Sequence, residues 1–154
     1  LSILETFSFN ILFTYANADT GGRVINQKIE QFCKIQPAKY KVVKSLGQVK
    51  YLSAMKYVDL LIGNTSSGII EAASFKKPVV NIGDRQKGRL KGENVIDCNL
   101  NTLQESIKLA LSSSFRNKTK NMNNIYGTGS AADFILDKLI NEPISVIKKF
   151  RDQP

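Results

Sequence analysis

Apolar positions along the chain follow two alternating rhythms. Short, nearly continuous apolar runs fall at 9–16 (FNILFTYA), 40–45 (YKVVKS), 58–63 (VDLLIG), 78–83 (PVVNIG) and 94–98 (NVIDC). They predict strands, and a run as apolar as 58–63 suits a parallel strand covered on both faces. Between them, apolar residues recur three and four apart. Ile25, Ile29, Phe32 and Cys33 predict a helix over about 22–35, ended by Pro37. Val49, Leu52 and Met55 predict a short helix over 49–57. SGIIEAASF (67–75) predicts another, closed by KKP. Leu103, Ile107, Ala110 and Leu111 mark a helix over 102–113, and Ala132, Ile135, Leu136 and Leu139 one over 130–141. EPISVIKKF (142–150) predicts a terminal helix with Pro143 in its first turn. Strands alternating with helices imply an α/β fold with a parallel sheet. The polar, glycine-containing stretch 84–93 (DRQKGRLKGE) reads as a functional loop.

Composition narrows this picture. The 154 residues form one expected domain, 42% hydrophobic and 23% charged, as in globular proteins. No apolar window approaches a membrane span, and the first ten residues lack the basic start of a signal peptide. The chain begins with Leu rather than Met, so a fragment, processed product or excised domain is expected. Cys33 and Cys98 have no CxxC spacing; buried free thiols, no metal and a reducing, cytoplasmic setting are expected. The net charge of +9 is spread along the chain without a run of five Lys/Arg. One anion site on a solvated basic surface is expected, rather than a nucleic-acid face. There is no histidine, which removes the commonest acid–base group at neutral pH.

The candidate chemistry lies in 61–89, LIGNTSSGIIEAASFKKPVVNIGDRQKGR. In open parallel sheets ligands sit beyond the carboxyl ends of strands. There, Thr65, Ser66 and Ser67 offer hydroxyls and N–H groups at the start of a helix, where the dipole favours an anion. Gly68 would keep the surface low for phosphate oxygens. A plain N-cap is the alternative, since no lysine follows as in a P-loop. Glu71, one turn later, can accept the two hydroxyls of a ribose; the alternative is an ordinary exposed glutamate. Arg85 and Arg89 follow the next strand, and arginine forks match phosphate oxygens. Together these residues point to a nucleoside diphosphate.

GNTSSGIIEAASFKKPVVNIGDRQKGR followed by GENV resembles the C-terminal half of the hydrolysing UDP-N-acetylglucosamine 2-epimerases. NADTGGR (17–23), SLGQVKYL (45–52) and IYGTGSAADFILDKL (125–139) resemble that family in the same order, so the likeness covers roughly residues 9–140. Enzymes acting on UDP-diacetylated sugars share these motifs. The resemblance implies a Rossmann-like, three-layer domain, the nucleotide-binding half of a glycosyltransferase-B-like enzyme, with a catalytic N-terminal partner domain not in this chain and no cofactor. It implies that Thr65 and Ser66 hold the diphosphate, Glu71 the ribose, and Arg85 and Arg89 the diphosphate or sugar. Leu46 and Tyr51 would contact the uracil, and Asn17 and Asp19 would face the sugar. Gly127, Gly129 and Ser130 would add backbone donors. The family reaction eliminates UDP from UDP-N-acetylglucosamine and adds water, releasing N-acetylmannosamine. Its proton-transfer groups, carboxylates and a histidine, would lie outside this chain, which is expected to be inactive alone and to self-associate through an exposed face. Two alternatives stand: the donor-binding domain of a glycosyltransferase of the same architecture, and a non-enzymatic basic domain that binds polyanions.

Overall fold

In a computed structural model, residues 1–17 and 20–143 are described. Asp19 and the helix expected at 142–150, beyond Pro143, lie outside them. The elements run in the order α1 (Ser2–Glu5), β1 (Ile11–Thr14), α2 (Gly22–Ile35), β2 (Tyr40–Val43), α3 (Gly47–Tyr57), β3 (Leu61–Gly63), α4 (Ser66–Ser74), β4 (Val79–Ile82), β5 (Val95–Cys98), α5 (Leu103–Leu111), α6 (Ser113–Asn121) and α7 (Ala131–Asn141). Every strand pairing is parallel and each is separated by a crossover containing a helix or long loop, as expected for an α/β fold.

The strands form two sheets rather than one continuous sheet. β1 pairs with β2, and β3, β4 and β5 pair in that order. The three-stranded sheet is the middle of a three-layer sandwich. On one face Val80 packs with Leu103, Ile107 and Ala110 of α5. On the other, Val79 packs with Met55 of α3 and Ala72 of α4. α2 covers β1–β2 through Phe32 and Cys33 against Tyr40, with the Phe32 and Tyr40 rings stacked 4.8 Å apart. Leu4 of α1 reaches both the α5 core and the α2 core, so side-chain packing of the N-terminal segment joins the two sheets.

Two expectations change, and one helix is added. Ile25, spaced for the buried face of α2, is 49% exposed; burial starts a turn later, with Ile29 partly covered and Phe32 and Cys33 inside. α6 went unread because SSFRNKTKN carries no apolar stripe. It is held instead by its cap, Ser112 Oγ accepting from Phe115 N–H at 3.3 Å, and by an Arg116–Asp59 ion pair at 3.4 Å. Both cysteines are free, but Cys98 is only partly buried; burial raises both thiol pKa values.

Candidate functional site

The cradle at the start of α4 forms as its residue types dictate. Thr65 is the cap, in extended conformation, and its Oγ1 accepts from Ser67 N–H at 3.3 Å. Gly68 N–H turns back onto the Thr65 carbonyl at 3.2 Å. Thr65 and Ser66 are exposed, while Ser67 Oγ is buried without a hydrogen-bond partner. A Cβ on Gly68 would lie 3.2 Å from Val79 Cγ1, so this glycine lets α4 sit close against β4. Glu71 is exposed, four residues on from Ser67, beside the fully buried Ala72.

The cationic loop stands next to this cradle. β3 and β4 are adjacent and parallel, with Leu61 beside Val79, so the turns leaving them emerge at the same edge. Gln86 ties them together: its Nε2 donates to the Asn64 carbonyl at 2.8 Å, and the residue is 4% exposed. Its Oε1 is buried with no donor. A hydrogen bond adds ~0.5–1.5 kcal/mol, whereas an unmatched buried acceptor costs ~1–3 kcal/mol. Arg85, Lys87 and Arg89 around it are exposed. Two more anchors hold the loop's far end. Lys91 Nζ donates to both Asp97 oxygens at 2.9 and 2.7 Å, and Tyr126 Oη donates to the Leu90 carbonyl at 2.6 Å. Partial burial works to raise the Asp97 pKa, but hydrogen bonds from Lys91 and from Asn81 Nδ2 outweigh it and hold the carboxyl below its ordinary value.

The remaining expected residues gather around two adjoining cavities, one between β1 and β3 and one at the carboxyl ends of β1 and β2. A cavity of about 160 Å³ between β1 and β3 is lined by Leu12, Leu46, Tyr51, Met55, Thr65 and Gly68 among others. A second, of about 500 Å³, is lined by Asn17, Lys44, Ser45, Leu46, Gln48 and Tyr51 among others. Leu46, the residue before α3, and Tyr51 line both, so the two cavities adjoin. Asn17 and Ala16 are themselves closely held. A Cβ on Gly22 would fall 2.2 Å from the Asn17 carbonyl oxygen, and Ala16 N–H donates to Asn26 Oδ1 at 2.8 Å. Tyr15 Oη donates to Glu30, a bond that raises the phenol pKa.

The structure therefore brings Thr65, Gly68, Leu46, Tyr51 and Asn17 to these cavities. Ser66, Ser67, Glu71, Arg85 and Arg89 line neither cavity. Gly127 N–H, expected as a free donor, is engaged with the Asn124 carbonyl at 3.2 Å. GENV is structural: Gly92 has no room for a Cβ beside Asn94 and Met122, and buried Asn94 donates to the Lys77 carbonyl at 2.9 Å. Sequence reasoning missed Gln86, Lys91 and Lys44. For Gln86 a signal existed, an uncharged residue set between Arg85 and Lys87 in an otherwise cationic turn. Among the described residues no cluster of three or more His, Cys, Asp or Glu could hold a metal, and no helix is long and apolar enough to cross a membrane.

Fold and site define a parallel α/β protein with two adjoining cavities, beside a capped helix N-terminus and a cationic turn. The sequence profile of the UDP-N-acetylglucosamine 2-epimerase family matches residues 1–140, and the chain belongs to that family. It is 45% identical, over 107 residues, to the GDP/UDP-N,N'-diacetylbacillosamine 2-epimerase (hydrolyzing) of Campylobacter jejuni; the match covers 70% of this chain and 28% of that protein. It is 37% identical over 155 aligned residues to the polysialic acid biosynthesis protein P7 of Escherichia coli, covering 96% of this chain and 37% of that one. A UDP-N,N'-diacetylbacillosamine 2-epimerase (hydrolyzing) of Legionella pneumophila is 32% identical over 126 residues, 82% of this chain and 32% of that protein. The chain thus spans roughly a third of the length of these relatives.

Proposed function

We propose that this chain is the UDP-binding part of a hydrolysing 2-epimerase that acts on a UDP-linked 2-acetamido sugar, converting UDP-N-acetylglucosamine and water to N-acetylmannosamine and UDP. The observation that carries the reading is the Gln86–Asn64 contact, which sets the arginine turn against the cradle at the start of α4. UDP is the leaving group of such a reaction, so its diphosphate gains charge as the sugar–oxygen bond breaks. Fixed N–H groups, hydroxyls and guanidinium groups stabilise that charge best when they need not reorganise. In this reading Thr65, Ser66, Arg85 and Arg89 hold the diphosphate and Glu71 takes the ribose diol. Leu46 and Tyr51 flank the base, and Asn17 faces the sugar. Proton transfer at the sugar carbon falls to residues outside this chain, in keeping with its lack of histidine.

A second reading, a UDP-linked diacetylated sugar as substrate, is favoured by the names of the Campylobacter and Legionella relatives. Both readings share the UDP site. Calorimetric titration of UDP, UMP and ADP into the chain, with Glu71→Ala alongside, tests it. UDP is expected to bind at least about tenfold more tightly than UMP or ADP, a difference of ~1.4 kcal/mol, and Glu71→Ala to abolish UDP binding, because the ribose diol loses its acceptor. Equal, salt-sensitive binding of all three would sink the reading in favour of a general polyanion surface. Epimerase turnover by the chain alone would refute the placement of the proton-transfer groups elsewhere.

A further inference from the structure

Gln86 sits in the middle of the cationic turn, yet it is 4% exposed while Arg85 and Lys87 beside it are exposed. It reaches 22 residues back along the chain to the Asn64 carbonyl. A carbonyl oxygen only accepts, so the amide nitrogen must be the end that faces it. That fixes Oε1 as the buried end with no donor. One satisfied end does not offset the desolvation of the other, so the side chain is a poor source of stability. What it does instead is set geometry. The Gln86 carbonyl accepts from Arg89 N–H at 3.3 Å, and Arg85 is its neighbour in sequence. The backbone positions of both arginines relative to Asn64, Thr65 and Ser66 therefore depend on where the Gln86 side chain is held.

We propose that Gln86 is a positioning residue, a clamp between two loops that holds Arg85 and Arg89 at a fixed separation from the cradle before any ligand arrives. Its role in binding rests on the UDP reading above; its role in ordering the loops does not. A clamp of this kind raises affinity by removing the cost of ordering the turn on binding.

The test uses Gln86→Met, similar in size but unable to donate, in the 154-residue chain. Without nucleotide, amide exchange is expected to quicken at 84–89 and 64–67 and to stay unchanged in β4 and β5, with no fall in Tm. With UDP, affinity is expected to drop about tenfold. Arg89→Ala is expected to cost less on the Gln86→Met background than alone, because a released arginine has less to lose. Gln86→Glu adds a pH signature. Its ionised carboxylate repels the Asn64 carbonyl, while the protonated carboxyl can donate to it, so the affinity deficit against the native chain should narrow as pH falls. A lowered Tm, failure to fold, unchanged loop exchange or additive costs would each overturn the clamp. Should the native chain not bind UDP, the nucleotide reading falls, and exchange alone decides whether Gln86 orders the loops.

Discussion

Helices α4 and α7 carry similar apolar content in sequence and meet opposite fates. In α4, Gly68, Ile69, Ala72 and Ala73 are buried. In α7 no residue is buried, and Phe134, Ile135, Leu136, Leu139 and Ile140 are all more than half exposed. The difference lies in their neighbours. α4 contacts β3 and β4, its glycine allowing close approach to Val79. α7 follows a glycine-containing turn that ties back through residues before the helix, Asn124 donating to Ser74 Oγ and Tyr126 to the Leu90 carbonyl. An amphipathic period states that a helix has a face to cover, and nothing about what covers it.

The sharpest way to break this comparison is to truncate one apolar residue in each helix. Ile69→Ala should cost about 2–5 kcal/mol of stability, because Ile69 is fully buried. Leu136→Ala, at 57% exposure, should stay within about 0.5 kcal/mol. Urea unfolding of the two variants measures both; similar losses would mean that α7 is covered in solution. A smaller effect is expected at the tie between the helices. Asn124→Ala removes its bonds to Ser74 Oγ and the Ile70 carbonyl and should cost about 0.5–1.5 kcal/mol. It should also quicken amide exchange at 124–130 while leaving α4 protected. The smallest effect is pH-dependent. The Asp97 carboxyl is held below its ordinary 3.8, so its contribution is complete above that value and is lost as pH falls through the lower folded value. Asp97→Asn should flatten this limb of an acid titration followed by circular dichroism, with little change near neutrality.

Much of the architecture is legible in the apolar pattern. All five strands lie within the runs that predicted them, and α2, α3, α4, α5 and α7 form where apolar spacing placed them. The split into two sheets is not legible, because an apolar run encodes burial and carries no record of which edge is paired. α6 is invisible for the opposite reason: its ties are a serine cap, ion pairs from Arg116 and Lys118, and a buried threonine, Thr119, which leave no apolar periodicity. At the site, Thr65 could be read as a cap because threonine before a helix has a local meaning. Gln86 could not be read in the same way, since its partner, Asn64, lies 22 residues away and only the fold brings the two together.

The two sheets also bear on how the chain is made. Paired strands begin 29 residues apart at Ile11 and Tyr40, 18 apart at Leu61 and Val79, and 16 apart at Val79 and Val95. Among the described residues no strand pairing spans both sheets. Each ladder closes a short stretch of chain, which keeps the entropic cost of contact formation low for a parallel β protein. Synthesis runs from the N-terminus, and domains form as their segments become available. The β1–β2 pair can therefore assemble while the cradle and the arginine turn are still being translated. The cradle and the arginine turn gain their full set of contacts only once β5 and the Tyr126 anchor have emerged.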